Sequence, residues 1–185
     1  MRLSGGAEGD GLGHGTSLWL APEPPWREHF ARTIRDLAGR LGTVPFEPHV
    51  TLLSGLPGEP GRLSERAGRL AGELGPVALA FREARHEPRF FRCLYLRAEK
   101  EPALLAAHAR AAVLFARSPD PSFLPHLSLV YAHLRPDVAA RLCAELDPEF
   151  PACRATTLEV VHTEGPPQEW RVVASHRLSL PTGPE

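Results

Sequence analysis

Short apolar runs alternate with longer amphipathic stretches along nearly the whole chain. The first run, Ser17-Leu18-Trp19-Leu20-Ala21, has strand character and stops at Pro22. Beyond Pro24 and Pro25, Phe30, Ile34, Leu37, Ala38 and Leu41 recur at helical spacing, with Gly42 as a stop. A strand is predicted over 49–54, closed by Gly55, Pro57 and Gly58, and a helix over about 61–74. Val77-Ala78-Leu79-Ala80-Phe81 and Arg92-Cys93-Leu94-Tyr95-Leu96 read as further strands. The order then recurs. A helix over about 101–116 carries Leu104, Leu105, His108, Ala112 and Phe115 along one side. A strand at 126–131, a helix over about 136–147 and strands near 154–162 and 169–180 complete the chain.

The recurrence extends to individual residues. Pro48-His49-Val50-Thr51-Leu52-Leu53 returns, class for class, as Pro125-His126-Leu127-Ser128-Leu129-Val130, 77 residues later (126 − 49). Composition gives about one Pro-His pair by chance, and roughly a hundredth or less of a copy once the apolar, hydroxyl and Leu positions are required. The same shift lays 17–21 on 94–98 and 77–85 on 154–162. The chain therefore reads as a doubled strand–helix–strand–helix–strand unit, about 17–92 and 94–169, with one strand left over. Two lobes related by an approximate two-fold are expected, each giving one histidine strand to a central groove. Side chains two apart on a strand share a face, so each histidine has a hydroxyl residue beside it. Two imidazoles and two hydroxyls in one cleft suit acid–base chemistry on a small anion.

Composition narrows the ligand. The 185 residues, 43% apolar and 23% charged, fit one large soluble domain or two small lobes. A formal charge of −1 gives no general attraction to nucleic acid or an acidic membrane, so a small ligand is expected rather than a long polyanion. Cys93, Cys143 and Cys153 lack metal or redox spacing and read as buried thiols. No zinc motif occurs, since no histidine follows His86-Glu87 at the needed spacing. There is no Gly-x-Ser-x-Gly elbow for serine hydrolase chemistry. No apolar run has the length of a membrane span and no signal-peptide core is present, so a cytoplasmic protein is expected. Residues 1–15 read as a flexible Gly-rich tail, because Gly9-Asp10-Gly11-Leu12-Gly13-His14-Gly15 follows no strand and opens no helix. A single bilobal domain over 16–185 remains.

With neither a metal site nor a nucleophile motif, the reaction must be one that two histidines can run. Opening of a strained cyclic phosphate ester fits. One neutral imidazole takes a proton from attacking water, and the other, protonated, gives one to the leaving oxygen. Thr51 and Ser128 would donate to the non-bridging phosphoryl oxygens.

The chain resembles the two-histidine (2H) phosphoesterase superfamily, whose signature is a pair of His-x-Ser/Thr motifs, and within it the cyclic phosphodiesterases of plant and yeast type. The resemblance spans nearly everything after residue 15. It runs through Ser17-Leu18-Trp19-Leu20-Ala21-Pro22, Phe46-Glu47-Pro48-His49-Val50-Thr51-Leu52, Phe123-Leu124-Pro125-His126-Leu127-Ser128-Leu129-Val130-Tyr131-Ala132, Thr163-Glu164-Gly165 and Trp170. It implies an α+β bilobal fold with antiparallel sheets flanked by helices. It also implies metal-independent hydrolysis of ADP-ribose 1″,2″-cyclic phosphate or nucleoside 2′,3′-cyclic phosphates, without a cofactor. His49 and His126 carry over as catalytic, their acid and base roles open, and Thr51 and Ser128 as phosphate-binding. Tyr131 carries over as a phosphate or water contact, although strict alternation would turn it away from His126 unless the strand ends or bulges first. Trp19 is read either as a core plug or as a groove wall packing on a base or ribose. Arg89-Phe90-Phe91 stands at a turn and is read as an edge anchor or an aromatic wall. A monomer acting on a small cyclic-phosphate nucleotide is expected, with no long nucleic acid and no membrane as partner. The alternatives are the RNA 2′,3′-cyclic phosphodiesterase and 2′-5′ ligase-like branch, where an arginine typically follows the second motif, and a binding module that does not turn over its ligand.

Overall fold

Leu18, Leu20, Val50, Leu52, Leu127 and Leu129 alternate along three strands with Ser17, Trp19, Thr51 and Ser128, and all six leucine and valine side chains enter one hydrophobic cluster. A pleated sheet built on that alternation has one face for helices and one face for chemistry. The computed structural model describes residues 11–146 and 152–179. In chain order the elements are β1 (Thr16–Pro22), α1 (Trp26–Leu41), β2 (Val50–Leu56), α2 (Pro60–Glu73), β3 (Val77–Leu79), β4 (Phe81–Arg85), β5 (Leu94–Ala98), α3 (Pro102–Leu114), β6 (His126–Val130), α4 (Pro136–Glu145), β7 (Cys153–His162) and β8 (Arg171–Arg177). The class is α+β, with an eight-stranded antiparallel sheet and four α-helices among the described residues. No helix among the described residues is long and apolar enough to cross a membrane.

The sheet runs β3-β7-β1-β2-β6-β5-β4, with β8 added on β7. β2 and β6 meet through one register pair, Val50 with Leu127, which occupy the same place in the two motif copies. The halves on either side are not the two consecutive stretches of chain that a 77-residue repeat suggests. β7, from the second stretch, pairs with β1 of the first, and β4, from the first, pairs with β5 of the second. Each stretch thus lends its last strand to the other half, so neither half closes its core without the other.

The register also corrects one alignment. Trp19 stands opposite Thr51, and Tyr95 opposite Ser128. The first strands therefore correspond at a shift of 76 (95 − 19) while the motifs keep 77, which makes Tyr95 the counterpart of Trp19.

The helices bury the face expected of them with one exception. Phe30, Ile34, Leu37 and Ala38 are the buried side of α1, which ends at Gly42 in the left-handed region at φ 67°. α2 starts with Pro60 in its first turn, and the Glu59 side chain accepts from the Arg62 amide at 3.1 Å. In α3 the buried side is Leu104, Ala107, His108, Ala111 and Ala112, whereas Leu105 is exposed. This helix is apolar almost all round, so its periodicity does not select a face and tertiary packing does.

Candidate active site

Each motif proline leads straight into its histidine at the entry to β2 or β6. There the chain turns so that the imidazole reaches back over the preceding loop. His49 Nδ1 lies 2.7 Å from the Glu47 carbonyl oxygen and His126 Nδ1 lies 2.8 Å from that of Leu124, residues that match under the 77-residue shift. A carbonyl only accepts, so in both rings Nδ1 carries the hydrogen and Nε2 is left for chemistry. Both rings line one cavity of about 270 Å³.

Their surroundings differ. His49 is buried, and Trp19 lies flat on it with ring centroids 3.5 Å apart and planes 5° apart. Burial pushes the His49 pKa down to about 3. The Glu47 carbonyl works against that, while His126 and Arg27 add repulsion for the charged form. His126 is half-buried, and its neighbour Tyr95 meets it edge-on at 5.3 Å. The Tyr95 hydroxyl donates to Glu87 at 2.8 Å, and burial together with that carboxylate pushes its pKa up to about 12.

Tyr131 is placed by the end of a strand. β6 stops at Val130, so alternation no longer applies, and Tyr131 turns into the cavity. It is buried, stacks on Phe46 at 3.7 Å and brings its hydroxyl to 3.4 Å from His49 Nε2, a long contact in which the phenol donates. Burial holds its pKa above the ordinary range. Trp19 is 4% exposed, stacks on His49 and lines the cavity.

Thr51 and Ser128 line the same cavity. Ser128 is already engaged, donating to the Phe91 carbonyl at 2.8 Å, so reaching a phosphoryl oxygen requires its hydroxyl to rotate off that carbonyl. Phe91 lies on a short 3₁₀ turn, Phe90–Arg92, and with Trp170 at 5.5 Å closes an aromatic wall. Arg89 and Arg92 stand at the cavity edge, Arg92 held by Glu87 at 2.6 Å.

The expected tail differs from the structure over residues 11–15, while residues 1–10 lie outside the described residues. Gly13 and Gly165 exchange backbone hydrogen bonds of 2.8 and 3.1 Å, and the Gly15 amide donates to Glu164 at 2.7 Å. Leu12, Gly13 and His14 line the cavity. Glycine is required here for space: a Cβ on Gly13 would strike the Thr163 carbonyl and come within 2.7 Å of the Trp170 ring. A glycine run reads as mobile when its partner lies about 150 residues downstream.

Sequence reasoning also missed Arg27. Its guanidinium donates to Glu159 at 2.9 Å and to Glu47 at 3.0 Å, and the Glu159 side chain is 5% exposed. Burial opposes the charge on Arg27, but Glu159 and then Glu47 outweigh it and hold the pKa above its ordinary value. Arg27 and Glu159 are 132 residues apart, with no local signal to join them. Among the described residues, no three His, Cys, Asp or Glu side chains are grouped as metal ligands.

The fold is shared with solved structures of low identity. Escherichia coli LigT in its apo form superposes with a TM-score of 0.59 at 15% identity, over 91% of this chain and 98% of that one. TT0787 of Thermus thermophilus gives 0.58 at 19%, over 89% and 97%. LigT complexed with 3′-AMP gives 0.57 at 14%, over 90% and 99%. No curated protein matches the chain. The family model described as cyclic phosphodiesterase-like protein matches residues 14–178, the stretch that holds both histidine motifs, the aromatic wall and Arg27 with its two carboxylates. The chain belongs to this cyclic phosphodiesterase-like family, within the 2H phosphoesterase superfamily.

Proposed function

We propose that this phosphoesterase hydrolyses small cyclic phosphates, ADP-ribose 1″,2″-cyclic phosphate or nucleoside 2′,3′-cyclic phosphates, with His49 as base and His126 as acid and without a metal ion. The observation that carries the reading is the matched pair of imidazoles, each anchored through Nδ1 and each offering Nε2 to one cavity. Nε2 of neutral His49 accepts a proton from water as its oxygen bonds to phosphorus. The ring P–O bond breaks, and protonated His126 delivers its Nε2 proton to the departing oxygen, leaving a phosphomonoester and a free hydroxyl. Thr51 and Ser128 hold the non-bridging oxygens, and Tyr131 orders the water beside His49.

Burial supports His49 as the base: desolvation and nearby cations keep that ring neutral, whereas His126 is only half-buried. The cavity, about 270 Å³, lies just below the range of about 300–1,000 Å³ usual for ligands of drug size. LigT has been solved with phosphate and with ATP, ligands of the same chemical kind.

Product analysis tests the reading on three substrates: ADP-ribose cyclic phosphate, the 2′,3′-cyclic mononucleotides and an oligonucleotide ending in a cyclic phosphate. Turnover of the small substrates should persist in chelator, and His49→Ala or His126→Ala should each lower it about 10²–10⁴-fold or more with the fold intact. A strong preference for the oligonucleotide, a requirement for added divalent ion, or binding without turnover would overturn it.

A further inference from the structure

Two histidines with the same motif and the same backbone anchor would, by themselves, be interchangeable. A proton acceptor and a proton donor are not. We propose that Arg27 is a positioning residue that widens the difference burial makes between them: clamped between Glu159 and Glu47, it fixes the loop from which His49 hangs and sets a cation where it disfavours a charge on that ring. This rests on the acid–base reading above and extends it to a residue outside the motifs.

The clamp is built in one half only. The carbonyl holding His49 belongs to Glu47, whose carboxylate takes Nη2 of Arg27 at 3.0 Å; its counterpart holding His126 belongs to Leu124, which has no charge to clamp. Across the sheet, Trp19 stands opposite Glu159 and Tyr95 opposite Arg85. The cross-strand neighbour of each histidine's aromatic partner thus has opposite charge in the two halves. Glu159 is buried and bound to Arg27, whereas Arg85 is exposed and bound to Glu83. A buried carboxylate needs a cation, so Glu159 fixes Arg27 at the base of α1. From there its charge opposes protonation of His49. The other charged or titratable groups around that ring are Glu47 from its own loop, Glu159 from β7, and His126 and Tyr131 from β6 and its end.

The test reads His49 by NMR titration of its ring carbon in substrate-free protein, over the pH range in which each protein stays folded, alongside the acid limb of kcat/KM. Arg27→Gln should raise the pH at which His49 begins to titrate. It should move the acid limb the same way, with kcat falling more than KM rises. Arg27→Lys, which keeps the charge, should shift it less. Should Arg27→Gln fail to fold because Glu159 is left buried without its cation, Arg27→Leu/Glu159→Leu removes both charges and should still raise the titration. An unmoved His49 in any folded variant lacking the guanidinium overturns the proposal. The titration needs no substrate, so a protein inert on every cyclic phosphate would defeat the functional reading while the titration still decides the role of Arg27.

Discussion

Acid should weaken this fold through one ring in particular. In the unfolded chain His49 titrates near 6.5, whereas burial in the folded protein pushes it down to about 3. Between those values the unfolded state binds a proton that the folded state refuses, so stability is complete above 6.5 and drains away as pH falls toward 3. From pH 7 to pH 5 the unfolded imidazole gains about 0.7 of a proton and the folded one almost none, a loss of about 2 kcal/mol. Over the whole window the loss approaches about 5 kcal/mol, comparable to the entire stability of a small domain. His49→Gln keeps a polar side chain and removes the titration. Urea denaturation at pH 7, 6 and 5 should therefore show the wild type losing about 2 kcal/mol more than the variant across that range. Carboxylates titrate in both proteins and cancel in the comparison. Parallel curves for the two proteins would refute the argument, because they would mean that folding does not desolvate this ring.

Other perturbations follow from the same geometry. Trp19→Ala removes a buried aromatic plate and should cost about 3–5 kcal/mol in urea denaturation, while also admitting water to His49. Gly13→Val forces residues 11–15 away from Thr163 and Trp170; a loss of about 1–3 kcal/mol and a change in the near-ultraviolet dichroism of Trp170 are expected. Ser128→Ala removes the donor to the Phe91 carbonyl, costing about 1 kcal/mol of stability, and should raise KM for a cyclic phosphate.

How much of this could be read in the sequence depended on the range of the signal. The strands and helices were legible because their periods are local, and Phe30, Ile34, Leu37 and Ala38 occupy the buried side of α1 as spaced. The two histidines and two hydroxyls were legible as a repeated word, and all four line one cavity. The exchange of β4 and β7 between halves was not, because a repeat specifies similar units without saying which copy a strand joins. Nor was the placement of residues 11–15: Gly13 is identified as a packed residue only by Thr163, Gly165 and Trp170. Tyr131 lay between these extremes. Its side was undecided until the strand was seen to end at Val130.

Doubling a unit produces two sites of equal chemistry, and a hydrolysis that moves one proton in and another out needs unequal ones. The motif residues cannot supply the difference, since they are what the halves share. It has to come from positions beside them, and three such positions diverge here. A flat tryptophan covers His49 where a tyrosine edge meets His126. A clamped Glu47 stands where the other half has Leu124, and an inward Glu159 where it has an outward Arg85. Each change acts on solvation or on local charge, the two quantities that set whether an imidazole holds a proton. Exchanging the environments, with Trp19→Tyr and Tyr95→Trp made together, should therefore bring the two ring titrations closer, whereas exchanging Thr51 and Ser128 should leave them apart.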